Sequence, residues 1–178
     1  MTLPFRCSTQ IASSSEVTGS GPSSDAMIEV IDPANERLFF SVAEAKEADM
    51  SRAVGAARKA FDEGPWPRLS HPQRAEYLRA IAAGLRERAE DLGQLWSRES
   101  GVLHAVARTS SAREAGAFEY YAGLADTFPF EERVKPTAGE FGLIVREPVG
   151  VVGAIIPWNA PWGSSLTRLP RPCWPGAL

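Results

Sequence analysis

The sequence is short of the residues from which most dedicated sites are built. Its two cysteines, Cys7 and Cys173, stand near opposite ends of 178 residues, so no disulfide framework is written into it. That usage fits a reducing cytosol, and a cytoplasmic location is expected. The two histidines, His71 and His104, hold no ligand spacing with each other or with the cysteines, and no metal site is expected. Charge of one sign is missing too. The formal net charge is −3, with no Lys/Arg run interleaved with aromatics, which removes the basic face that nucleic-acid binders use. Long hydrophobic runs are absent: the longest, residues 149–158, is about half of the roughly 20 residues that a membrane span needs. No membrane partner is expected, and residues 1–16 hold no apolar segment of signal-peptide length.

What is present has the composition of a soluble globular protein, 44% hydrophobic and 23% charged. The length suits one ordinary domain or a piece of a larger one. Residues 1–26 are rich in Ser, Thr and Gly without helical or strand periodicity, and read as a disordered lead. Ile28, Val30 and Leu38 to Phe40 then flank the turn signal Asp32, Pro33, Ala34, Asn35 as two short strands. A first helix is expected over about 47–63, with Met50, Val54, Ala57 and Phe61 on one face and Gly64 and Pro65 ending it. Ser70 and Gln73 have capping-box spacing, Pro72 suits a first helical turn, and Tyr77, Leu78, Ile81 and Leu85 form the expected buried stripe of a second helix. A third, around Leu92, Leu95 and Trp96, stops at Gly101. A fourth covers about 105–125, with Ala115, Phe118, Tyr121, Ala122 and Ala125 along it.

Beyond Phe128 the pattern changes. Phe141 to Val145 reads as a strand, and Pro148 interrupts it. Residues 149–156 form a β-branched apolar run broken only by Gly150 and Gly153, which fits a strand buried on both faces in a parallel sheet. Helices before such a strand imply an α/β protein of which only the first sheet strand is present. The run leads into Pro157, Trp158 and Asn159, at the strand end where open α/β sheets bind ligands. An asparagine amide there can donate to an oxygen developing negative charge. Equally, it can cap the helix that follows.

The stretch 147–159, EPVGVVGAIIPWN, resembles the segment of the NAD(P)-dependent aldehyde dehydrogenase family at the entry to its dinucleotide-binding sheet. Upstream residues agree in order: Val30 to Asn35 resembles the family's opening strand and turn, and Arg52 to Val54 with Ala56 to Arg58 its first helix. Trp66, Arg74, Arg98 to Gly101 and Tyr120 to Gly123 also find counterparts. The resemblance covers about residues 27–169. It implies an incomplete aldehyde-dehydrogenase-like α/β fold, with a helical amino-terminal part, oligomerisation-arm strands and the first strand of a Rossmann-like sheet. The implied division is 27–138 as the helical part of the NAD(P)-binding domain and 139–149 as the arm strands. Residues 150–168 follow as the first dinucleotide-binding strand and loop.

Under the same resemblance, Ile155, Ile156, Pro157 and Trp158 line the groove for the adenosine half of NAD or NADP. Asn159 donates to the oxyanion formed when a thiolate attacks a small-molecule aldehyde. The family's cycle is thiolate attack, hydride transfer to the nicotinamide, and thioester hydrolysis with a glutamate as general base. That cysteine and that glutamate lie downstream of the counterpart of Asn159, and Cys173 matches no such motif. The chain is therefore expected to be inactive alone, with aldehyde oxidation to a carboxylic acid belonging to a full-length parent. Family members are homo-oligomers. Residues 169–178 depart from the pattern: prolines between Pro170 and Pro175 forbid the family's next helix. A one-nucleotide slip in GC-rich codons would turn a helix-coding stretch into the run from Leu169 to Pro175. The competing reading is a non-catalytic interaction fragment docking on an intact homologue; a helical binding module unrelated to the family is the third.

Overall fold

A computed structural model describes residues 21–161. The expectations for Cys7, Cys173, the aberrant tail and most of the lead lie outside the described residues. Strands β1 (Met27–Asp32) and β2 (Arg37–Ala43) form an antiparallel hairpin whose register shifts between Val30 and Ile31. The turn between them is held by Asp32, whose carboxylate accepts from the Ala34 N–H at 3.0 Å and the Asn35 amide at 3.3 Å. Glu36 takes a positive φ of 58° to complete it, a conformation that non-glycine residues adopt at a cost.

The first helix, α1 (Glu47–Asp62), occupies the expected span. Asp49 in its first turn accepts from the Lys46 N–H at 2.9 Å, and both the N–H and the hydroxyl of Ser23 donate to it. Arg52 donates to the carbonyl of Gly21 at 2.8 Å, so residues 21–23 are tied to this helix. The expected apolar face is present, yet α1 has no buried residue: Met50 is 62% exposed and Val54 52%.

Helix α2 (His71–Glu87) starts as the capping-box spacing predicts. The Gln73 N–H donates to the Ser70 hydroxyl, and the Ser70 N–H to the Gln73 side chain. Its buried stripe differs from the expected one. Arg74, Ala75, Leu78 and Ala82 are inside, whereas Tyr77 and Ile81 are about half exposed. Hydrophobicity favours Tyr and Ile, but close approach of another helix favours alanines, and here the neighbour decides the face. That neighbour is α4 (His104–Gly123), which brings Ala115, Phe118 and Ala122 onto Ala75, Leu78 and Ala82, with Leu85, Tyr121 and Phe130 packed around them. Helix α3 (Ala89–Ser100) ends at Gly101 in the left-handed conformation, φ 75°. It crosses α4 so closely that a Cβ on Gly93 would stand 2.8 Å from the Cα of Arg108. Arg98 of α3 fastens the first hairpin: its Nε donates to Asp32 at 2.9 Å while its guanidinium lies 3.8 Å from the centroid of Phe39.

A second hairpin pairs β3 (Glu131–Val134) with β4 (Gly142–Val145), antiparallel, from Glu131 opposite Val145 to Val134 opposite Gly142. The sequence reading anticipates β4 but not β3, whose EERV alternates too weakly to register. One expectation needs correction. Residues 149–156 form no strand, and the described residues contain no parallel strand pair. A strand buried on both faces needs neighbours to satisfy its N–H and C=O groups. No such neighbours stand beside it among the described residues, and the run stays irregular.

Candidate functional site

Ile155, Ile156, Pro157, Trp158 and Asn159 lie together on one stretch beyond the second hairpin, in the order the sequence dictates. The chain runs irregularly to Pro157 and turns at Trp158 and Asn159. Ile155 is 84% exposed and Trp158 76%; Pro157 and Asn159 are exposed, and Ile156 is half-buried. The expected roles need a wall facing these side chains, and none closes over them among the described residues. A shallow open groove of about 510 Å³ lies nearer the start of the segment, lined by Val151 together with Glu47, Met50, Val54, Gly55 and Arg58 of α1. The segment thus runs beside α1 at one end and leaves its isoleucine, tryptophan and asparagine exposed at the other.

Chemically, the stretch offers flat apolar surface from Trp158, branched apolar surface from Ile155 and Ile156, and an amide on Asn159 that can donate to an oxygen. These are binding and stabilising groups. The perturbed carboxylates lie elsewhere and hold the scaffold. Asp32 is kept below its ordinary value by the hydrogen bond from Arg98 and then by the Ala34 N–H. Asp49 is lowered by the Lys46 N–H and by Ser23, and Glu119 by Arg86, which grips it across α2 and α4. His71 is pushed down by burial and by the charge of Arg74, and its ring stacks on Phe130 with centroids 3.5 Å apart. Among the described residues no cluster of three or more His, Cys, Asp or Glu side chains could hold a metal ion. Nor is any helix there long and apolar enough to cross a membrane.

The sequence reading misses the residues that anchor this segment. Arg146 donates to the carbonyl of Pro129 at 2.8 Å, pairs with Glu132 at 2.5 Å, and lies 5.3 Å from the ring centroid of Phe128. Its own N–H donates to the carbonyl of Phe130 at 3.0 Å. Periodicity cannot find such a node, since its partners are irregular turn residues. The only signal is the aromatic pair around Pro129 and a lone arginine at a strand end.

Comparison with known proteins places this geometry. A sequence model described as "Aldehyde dehydrogenase family" matches residues 21–173. Aldehyde dehydrogenase 1 of Tanacetum cinerariifolium is 41% identical over 139 residues, 78% of this chain and 28% of the relative. Betaine aldehyde dehydrogenase of Bacillus subtilis (strain 168) is 37% identical over 132 residues, 74% of this chain and 27% of the relative. Among solved structures, betaine aldehyde dehydrogenase from Staphylococcus aureus in complex with NAD+ superposes with a TM-score of 0.82 at 30% identity. That match covers 88% of this chain and 31% of the other. The chain thus spans less than a third of the length of each of these relatives.

Proposed function

This chain belongs to the aldehyde dehydrogenase family, and we propose that it supplies part of a site that oxidises an aldehyde to a carboxylic acid with NAD or NADP as acceptor. The observation behind this reading is the exposed stretch 155–159, which sets two isoleucines, a tryptophan and a donor amide side by side inside the matched region. Ile155, Ile156, Pro157 and Trp158 offer the apolar wall for the adenosine half of the cofactor. Asn159 donates its amide to the oxygen that becomes negative when a thiolate adds to the aldehyde. Such a donor raises the rate only where a nucleophile is present, and one donor contributes roughly 10²–10³ in kcat. Neither the thiolate nor the general base is assigned to a residue of this chain. On this reading the 178 residues give no aldehyde oxidation on their own, and the reaction belongs to a longer assembly of the family's fold.

A chimera tests the reading. Residues 27–161 would replace the matching part of the Bacillus subtilis relative, and aldehyde-dependent reduction of NAD+ would be followed with and without Asn159→Ala. A folded, active chimera whose kcat drops by about two orders of magnitude in the variant supports the role. An active chimera indifferent to Asn159→Ala removes it.

The second hairpin favours one further reading. Leu143, Ile144 and Val145 are each nearly half exposed on a two-stranded sheet, which presents strand edges suited to pairing with another chain. On this reading residues 139–149 form an oligomerisation arm, and the chain docks on an intact homologue. Co-purification with a homologue, lost when Ile144 is changed to Lys, is the expected outcome; persistence of the complex in that variant excludes the arm.

A further inference from the structure

We propose that Arg146 is a positioning residue: it fixes the angle at which the segment 147–159 leaves the helical core, and so where Ile155 to Asn159 stand. The proposal rests on reading those residues as the cofactor and oxyanion contacts. It adds a residue that touches neither cofactor nor substrate.

A chain of contacts runs from the core outward. His71, in the first turn of α2, stacks on Phe130 with ring planes 10° apart. Phe130 packs against the cluster of Ala75, Leu78, Phe118 and Ala122, so this aromatic is fixed by the best-packed part of the molecule. Phe128 stands edge-on to Phe130 at 5.0 Å. Arg146 then grips this turn in four ways. Its guanidinium donates to the Pro129 carbonyl, pairs with Glu132 and lies over the Phe128 ring, while its backbone N–H reaches the Phe130 carbonyl. Arginine suits such a node because a planar fork with several donors can serve a carbonyl, a carboxylate and a ring face at once.

Position in the chain gives the node its consequence. The ladder of the second hairpin ends at Val145 opposite Glu131. Arg146 adds one more rung, and Glu147, Pro148 and Val149 follow without regular structure. The next place where the segment comes beside another element is the open groove that Val151 lines together with α1. α1 itself has no buried residue and makes a weak anchor. The guanidinium is therefore the firm end of the tether, and the groove on α1 the soft one.

Spin-label distances in the 178-residue chain, with Cys7 and Cys173 replaced by serine, test this directly. One label pair joins Ala154→Cys to Arg79→Cys on α2; a control pair joins Arg79→Cys to Ala112→Cys on α4. All three positions are exposed. The expected result is a narrow distribution for the first pair that broadens at least twofold in Arg146→Ala. Arg146→Lys, which keeps the charge opposite Glu132, restores most of the narrowness, and Glu132→Gln broadens the distribution less than Arg146→Ala. The control pair stays narrow throughout. A first pair that is already broad without the substitution, or unchanged by Arg146→Ala, overturns the proposal, as does equal broadening of the control pair. The widths are measured without nucleotide. Failure of the cofactor reading, seen in the chimera as indifference to Asn159→Ala, is thus distinguishable from failure of the tether.

Discussion

The α2–α4 interface and the segment 149–156 make opposite use of apolar sequence. The interface is modest in composition: alanines 75, 82, 115 and 122 surround only two large side chains, Leu78 and Phe118, yet all six are at most 2% exposed. The segment is far richer, with three valines and two isoleucines in eight residues, yet Val149 is 70% exposed and Ile155 84%. Burial is a property of pairs of surfaces. Small residues let two helices approach until a few large side chains are enclosed, while a β-branched run with no sheet beside it among the described residues stays largely exposed. The same contrast holds inside the helical part, where α1 has an amphipathic face and no buried residue.

Substitutions should separate the two regions by their cost. Phe118→Ala should be the most damaging, removing about 3–5 kcal/mol and lowering the denaturant midpoint severely, because the site is enclosed on all sides. A loss under about 1 kcal/mol would show that α2 and α4 are not the stabilising core. Gly93→Ala comes next, at roughly 1–3 kcal/mol, since its methyl would meet the backbone of Arg108 and force α3 away from α4. Unchanged stability in that variant would mean the crossing is looser than described.

Strong acid should loosen the first hairpin. Asp32 titrates below its ordinary value of 3.8 because Arg98 and the Ala34 N–H favour its charged form. Its contribution is present above the unfolded value and is lost as pH falls through the lower folded one. Near-neutral pH leaves the tie intact. Amide protection in β1 and β2, corrected for the intrinsic pH dependence of exchange, should therefore fall only in that strongly acidic window, and Asp32→Asn should lower it at every pH above that window. Corrected protection that already falls near neutrality would assign the effect to another group. At the bottom of the scale, Trp158→Ala should change stability by no more than about 0.5 kcal/mol, as expected for an exposed side chain. A larger loss would reveal packing on the segment and would erase the contrast between the regions.

Local signals made much of the fold legible. Ser70 with Gln73 marked the start of α2, Gly101 the end of α3, and the turn at Asp32 the first hairpin, because caps and turns are decided within a few residues. The face of α2 was not legible. Tyr77 and Ile81 outrank Ala75 and Ala82 in hydrophobicity, and only the close approach of α4 reverses the order. The strand expected at 149–156 failed for the complementary reason: its pattern describes an environment that the described residues do not provide. At the candidate site, the string from Ile155 to Asn159 was readable as a unit, since its members are contiguous. Arg146 was not, because its partners Pro129, Glu132 and Phe128 are brought to it by a turn that carries no periodicity.

The central proposal is that Ile155 to Asn159 offer cofactor and oxyanion contacts, with the thiolate and general base supplied by a longer assembly. The most direct test is aldehyde-dependent formation of reduced nicotinamide by the purified 178-residue chain, followed by absorbance with NAD+ and with NADP+. The account predicts no rate above the protein-free control at any chain concentration. A rate proportional to the chain, and lost in Asn159→Ala, would contradict it and would require a nucleophile and a general base within this sequence.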